Sequence, residues 1–148
     1  MRRLLPAITA VTIGAVTGLA SPAQAAPALR FHSAQYDSPG TDTRTVASLN
    51  AEWISLVNSG STAVDLTGWR IHDKSRTYTF GKVRIPARGG RLWLHTGKGA
   101  DSGTRLYWNS GNYVWNNTGD TATLLTRTGA THHTCTWAQR AGRTVVGC

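Results

Sequence analysis

The chain has 148 residues, with 16 Lys and Arg against 7 Asp and Glu, and a formal net charge of +9. Apolar residues make up 40%, enough to bury a core, which excludes a disordered charged tail. The length suits one domain of ordinary size.

Residues 1–25 read as a cleavable signal peptide. Arg2 and Arg3 give a short basic start, and a largely apolar run extends to Ala20. Ser21-Pro22-Ala23-Gln24-Ala25 then places small residues where a signal peptidase reads. Arg2-Arg3 lacks the flanking residues of a twin-arginine export motif, so it serves as an ordinary positive start. Cleavage after Ala25 leaves residues 26–148 as a single secreted domain, with 14 basic against 7 acidic residues, a net +7. No later apolar run approaches the ~18 residues that span a bilayer, so no membrane anchor is expected in the mature chain.

The mature region holds 18 Thr and 14 Gly and no stretch with apolar residues at helical spacing, so helix is disfavoured almost everywhere. A first strand is expected over residues 29–36, followed by a long polar loop over 37–48. Residues 53–57 are nearly continuous in apolar content, as a central strand covered on both faces requires. Beyond a turn at 58–61, alternation recurs. Trp69, Ile71 and Asp73 oppose Arg70, His72 and Lys74; Tyr78 and Phe80 oppose Thr77 and Thr79; Val83 and Ile85 oppose Lys82 and Arg84. Leu92 and Leu94 sit between Arg91, Trp93 and His95. Each set has one apolar and one polar face, as a half-buried antiparallel strand needs. Residues 97–111 read as a second long loop carrying the apolar patch Leu106-Tyr107-Trp108. Residues 121–127 and 131–137 form a hairpin through Thr128-Gly129. Turn chemistry separates the segments at sandwich-like intervals, and the expected fold is one all-β sandwich.

Cys135 and Cys148 are even in number in an exported chain, and no partners at metal-ligand spacing accompany them. A disulfide between them closes a loop of 14 residues, worth roughly 3 kcal/mol in the chain-entropy model, and pins the last segment.

Catalytic chemistry finds little support. There is no G-x-S-x-G elbow, no H-E-x-x-H and no free thiol once the disulfide forms. His132 and His133 are adjacent, so on a strand they point to opposite faces. A small hydrolase would have to gather at least two of His72, His95, His132 and Asp73 into one concave pocket. Asp37, Asp42 and Glu52 offer oxygen ligands for a calcium ion, but at no recognised spacing, and Asp in a turn more often caps its own backbone. No cofactor is expected. An adhesive, self-associating domain is a third alternative, resting on exposed Trp108, Tyr113 and Trp115.

The basic excess has the best physical claim. Arg70, Lys74, Lys82, Arg84, Arg91 and Arg105 lie outward on strands or in adjoining loops, where they could form one cationic face. With Trp93 or Trp108 nearby, such a face would suit a polyanion, either nucleic acid or an anionic cell-wall polymer. Solubility alone is the competing explanation.

Six motifs then appear in order. They are Asn50-Ala51-Glu52-Trp53-Ile54-Ser55-Leu56-Val57-Asn58 with Val64-Asp65-Leu66-Thr67-Gly68-Trp69; Tyr78-Thr79-Phe80; Ile85-Pro86-Ala87-Arg88-Gly89-Gly90; Leu92-Trp93-Leu94; Leu106-Tyr107-Trp108; and Trp115 through Leu124. Over about residues 30–137 the chain resembles the lamin-tail domain family. The resemblance implies an immunoglobulin-like antiparallel β-sandwich. It also implies a docking or scaffolding role, with nucleic acid, carbohydrate or membrane association, and brings no catalytic residues. Trp69 and Phe80 would fill the core, and Gly68 and Gly119 would permit turns.

Overall fold

Residues 25–148 are described by a computed structural model. The signal peptide expected over residues 1–25 therefore lies outside the described residues, apart from Ala25. In chain order the elements are β1 (Leu29–Gln35), α1 (Val46–Ala51), β2 (Trp53–Asn58), β3 (Val64–Asp65), β4 (Arg70–His72), β5 (Thr77–Thr79), β6 (Arg84–Ile85), β7 (Gly90–His95), β8 (Arg105–Tyr107), β9 (Gly119–Leu125), β10 (Thr131–Ala138) and β11 (Val145–Gly147). One sheet runs β11-β1-β2-β7-β8, the other β10-β9-β4-β5, and β3-β6 form a short ribbon.

The alternating segments become the strands they suggested, and Ile71, Leu92, Leu94 and Leu124 all turn inward to full burial. Phe31, Ala34, Ile54, Leu56 and Leu106 join them from the five-stranded sheet, while Ala122, Cys135 and Trp137 come from the four-stranded one. Burial of these side chains is the main favourable term in the fold. A run of aromatic contacts threads the core: Tyr36 stacks on Trp137, which meets Trp115, then Trp108, Tyr78 and Phe80, each step between 5.2 and 5.9 Å. Phe80 is fully buried as expected, whereas Trp69 is only partly buried, edge-on to His132 at 5.0 Å. Gly68 and Gly119 adopt φ of +79° and +138°, backbone that glycine enters without a Cβ penalty.

Four features depart from expectation. The loop at 37–48 ends in α1, capped by the Thr45 hydroxyl, which accepts the Ser48 N–H at 3.2 Å. Six residues are too few to display a helical period. The loop at 97–111 contains β8, and β8 pairs with β7 in parallel, so the sandwich is antiparallel except at this edge. The hairpin β9-β10 is followed by a further strand, β11, which returns to the edge of β1. The register of β10 on β9 shifts between Thr131 and His133, so the two histidines do not diverge. Both reach β1: His132 Nε2 lies 2.9 Å from the Leu29 carbonyl, and the Phe31 N–H donates to His133 Nδ1 at 3.3 Å.

Candidate functional site

The outer face of the five-stranded sheet carries an unusual set of side chains. Strand pairing fixes which residues share it. Gln35, Trp53, His95 and Tyr107 form one row across β1, β2, β7 and β8; Ser33, Ser55, Trp93 and Arg105 form the next; Arg30, Val57 and Arg91 form the third. Partners directly across a ladder point to the same face, and the intervening residues Ile54, Leu56, Leu92 and Leu94 are buried in the core. Val57 and Ser55 are themselves buried, yet neither joins the core cluster. Their cover must come from the larger side chains on the same face.

Trp53, Trp93, His95 and Arg105 line a depression of about 310 Å³. Its floor is held in place. His95 donates from Nδ1 to the Asn50 carbonyl at 2.7 Å and stacks on Tyr107 with ring centres 5.4 Å apart. Gly99 lies so close to the Tyr107 ring that a Cβ there would meet it at 2.4 Å. Beneath the rings, the Ser33 and Ser55 hydroxyls pair at 3.0 Å. His32 occupies the register shift of β1 on β2. Burial, with the neighbouring Arg91 and Arg30, holds its pKa below the ordinary value, so it adds little charge at neutral pH.

No Asp or Glu stands at an outward position of these paired strands. Asp101 lies at the open side of β8, where its Oδ1 accepts the Tyr107 N–H at 2.9 Å. The face thus offers indole surfaces and guanidinium donors with no opposing carboxylate. Guanidinium groups suit phosphate or carboxylate oxygens through paired N–H bonds, and indoles suit flat partners and cations.

The six basic residues expected to form one cationic face are divided. Arg91 and Arg105 belong to this outer face. Arg70 sits half-buried on β4 of the other sheet, and Lys74 follows that strand. Lys82 and Arg84 line a separate cleft of about 480 Å³ with Tyr78, Asp101 and Leu106. Strand polarity alone could not separate them, because two sheets each have an outer side. Arg30 and Trp53 were missed. The near-continuous apolar run of β2 reads as covered on both sides and hides that Trp53 faces outward.

The hydrolase set is dispersed. His72 on β4 pairs with Thr77 of β5, His95 lies on the opposite sheet, and His132 is bound to β1. Asp73 is buried, with its pKa raised by burial and by Asp120. Among the described residues, no three His, Cys, Asp or Glu side chains are grouped to hold a metal ion. Glu52 turns inward, Asp37 accepts the Asn117 amide at 2.9 Å, and Asp42 is exposed. The aromatic set behind the adhesive reading is also not a surface: Trp115 is 3% exposed and Trp108 packs on the core. The Cys135–Cys148 disulfide is formed, with Cα atoms 5.3 Å apart.

A disulfide-bonded immunoglobulin-like sandwich, built around one aromatic core and bearing its distinctive chemistry on an open sheet face, defines a class of structural and binding modules. The lamin tail domain model matches residues 22–139, and the chain belongs to that family. The family is non-catalytic. No curated protein matches the chain.

Proposed function

We propose that the protein is exported and acts as a non-enzymatic docking module for an anionic polymer, extracellular DNA or an anionic cell-wall polymer. The observation that carries this reading is the outer face of the five-stranded sheet, where Arg91 and Arg105 flank Trp93, Trp53 lies beside it, and no carboxylate stands outward on the strands. The excess of 14 basic over 7 acidic residues in 26–148 supports it by steering polyanions toward the protein. Export is supported by the leader-like residues 1–25 and by the disulfide, which persists in oxidising compartments.

Binding of this kind releases counterions, so its affinity falls linearly with salt on logarithmic axes. Titration of labelled DNA and of an anionic wall polymer at low and moderate salt is the test. Saturable binding that weakens steeply with salt is expected; absence of binding to either polymer at low salt would sink the proposal. The mass of the exported protein should correspond to a chain beginning at Ala26.

A further inference from the structure

We infer that the Trp53–Trp93 face binds single-stranded nucleic acid, with bases stacked on the two indoles and phosphates paired to Arg91 and Arg105. This rests on the anionic-polymer reading above and narrows it to one polymer.

Spacing is the first argument. Neighbouring strands lie about 4.8 Å apart, and alternate residues along a strand about 7 Å apart. Arg105 is directly across the ladder from Trp93, and Arg91 is two residues before it on the same strand. Each guanidinium therefore stands within side-chain reach of a group resting on the indole. A nucleotide presents that combination, a flat base tethered by a short linker to an anionic phosphate.

Hydrogen-bonding balance is the second. The hydroxyls of a sugar polymer must donate as well as accept, and a binding face for them needs acceptors. Here the charged groups are guanidinium donors, no carboxylate faces outward from the strands, and the Ser33 and Ser55 hydroxyls already serve each other. The acceptors that remain, among them the buried Gln35 amide and the Tyr107 hydroxyl, are neutral. Phosphate oxygens only accept and match this surface. Sheet geometry supplies the third argument. A flat face presents no helix or ribbon to enter a duplex groove, and paired bases already stack on one another. Unpaired bases have free faces, and an aromatic platform takes them without regard to sequence.

Rigidity favours the same conclusion. His95 is fixed by Asn50 and stacked on Tyr107, and Tyr107 is confined by Gly99. One end of the platform is thus ordered before a ligand arrives, which lowers the ordering cost of binding.

The test compares four probes on the oxidised protein by fluorescence anisotropy at low salt. They are labelled oligothymidylate, an abasic strand with the same phosphates, a duplex of equal length, and polygalacturonate. Oligothymidylate is expected to bind roughly tenfold or more tighter than the abasic strand or the duplex. Trp53→Ala and Trp93→Ala should each weaken oligothymidylate by roughly tenfold while leaving the abasic strand within about twofold. Both positions lie outside the core cluster, and near-ultraviolet circular dichroism confirms that each variant is folded. If one fails to fold, the four-probe comparison on the unaltered protein still decides. Equal affinity for oligothymidylate and the abasic strand would overturn base stacking while the anionic-polymer reading stands. Tightest binding to the duplex or to polygalacturonate would also overturn it, in favour of that partner. No binding to any probe would overturn both.

Discussion

At Glu52 a carboxylate lies wholly out of water where α1 gives way to β2. Its Oε1 accepts from the Thr96 hydroxyl at 2.5 Å, the Val114 N–H at 2.8 Å and the Trp115 N–H at 3.3 Å, while Oε2 has no partner. The side chain thereby ties the start of β2 to the end of β7 and to the aromatic core. Three donors favour the charged form, but burial outweighs them and raises the pKa from 4.5 to about 7. The folded state therefore holds a proton that the unfolded chain releases nearer pH 4.5. The stabilising contribution is present below that value, declines as pH rises, and is gone above about 7. The shift corresponds to about 3 kcal/mol. Replacing Glu52 by Gln keeps the Oε1 acceptor and removes the titration. Urea unfolding at pH 5, 6, 7 and 8 should show the unaltered protein losing stability relative to Glu52→Gln from pH 5 to about 7 and levelling off by pH 8. His32 and His133, whose pKa values are lowered chiefly by burial, contribute in the opposite direction, but equally in both proteins. Parallel profiles would show that Glu52 titrates alike in the folded and unfolded chain, so that burial does not shift it.

Among the elements, β1 has the least self-sufficient edge. β11 pairs with only Ser33, Ala34 and Gln35, while His132 and His133 serve the Leu29 and Phe31 backbone. Val145 is 41% exposed, so β11 brings little burial of its own, and the disulfide from β10 anchors it. Cys148→Ala should lower unfolding free energy by about 3 kcal/mol. Hydrogen exchange should accelerate first at Tyr36, whose N–H donates to the Thr144 carbonyl at 3.0 Å, while Ile54 and Leu56 in the central strand keep their protection. Unchanged exchange at Tyr36 would mean that β11 holds without the bond. The disulfide was legible because cysteine pairing needs only two residues and an oxidising setting. Strands β4, β7 and β9 were legible because one face of each meets the core and the other does not. What escaped notice was local or depended on partners. The β10 register shift defeats alternation at His132 and His133. Three-residue β8 is defined by its ladder with β7 rather than by any pattern of its own. The outer face escaped in the same way, since Trp53, Trp93 and Arg105 meet only through pairing across three strands.

Over the whole molecule, the question is whether a polyanion responds to total charge or to one face. The basic side chains are spread over both sheets and the β5–β6 region, so net charge alone would make them interchangeable. The outer face predicts inequality. Arg91 and Arg105 flank Trp93, whereas Lys74 follows β4 of the other sheet and Lys82 lines a cleft that also holds Asp101. Arg91→Ala with Arg105→Ala removes the same formal charge as Lys74→Ala with Lys82→Ala. Each lost phosphate contact on a single strand should reduce the logarithmic salt slope by roughly 0.7. The arginine pair should therefore flatten the slope by about 1.4 and weaken binding at every salt concentration. The lysine pair should leave the slope nearly unchanged, because it alters only the long-range field, which is screened beyond about 10 Å at 0.1 M salt. Isothermal or anisotropy titrations of oligothymidylate across a salt series compare the two. Equal slopes for the two double variants would mean that charge acts without a defined face, and would overturn the role given to the Trp53–Trp93 surface.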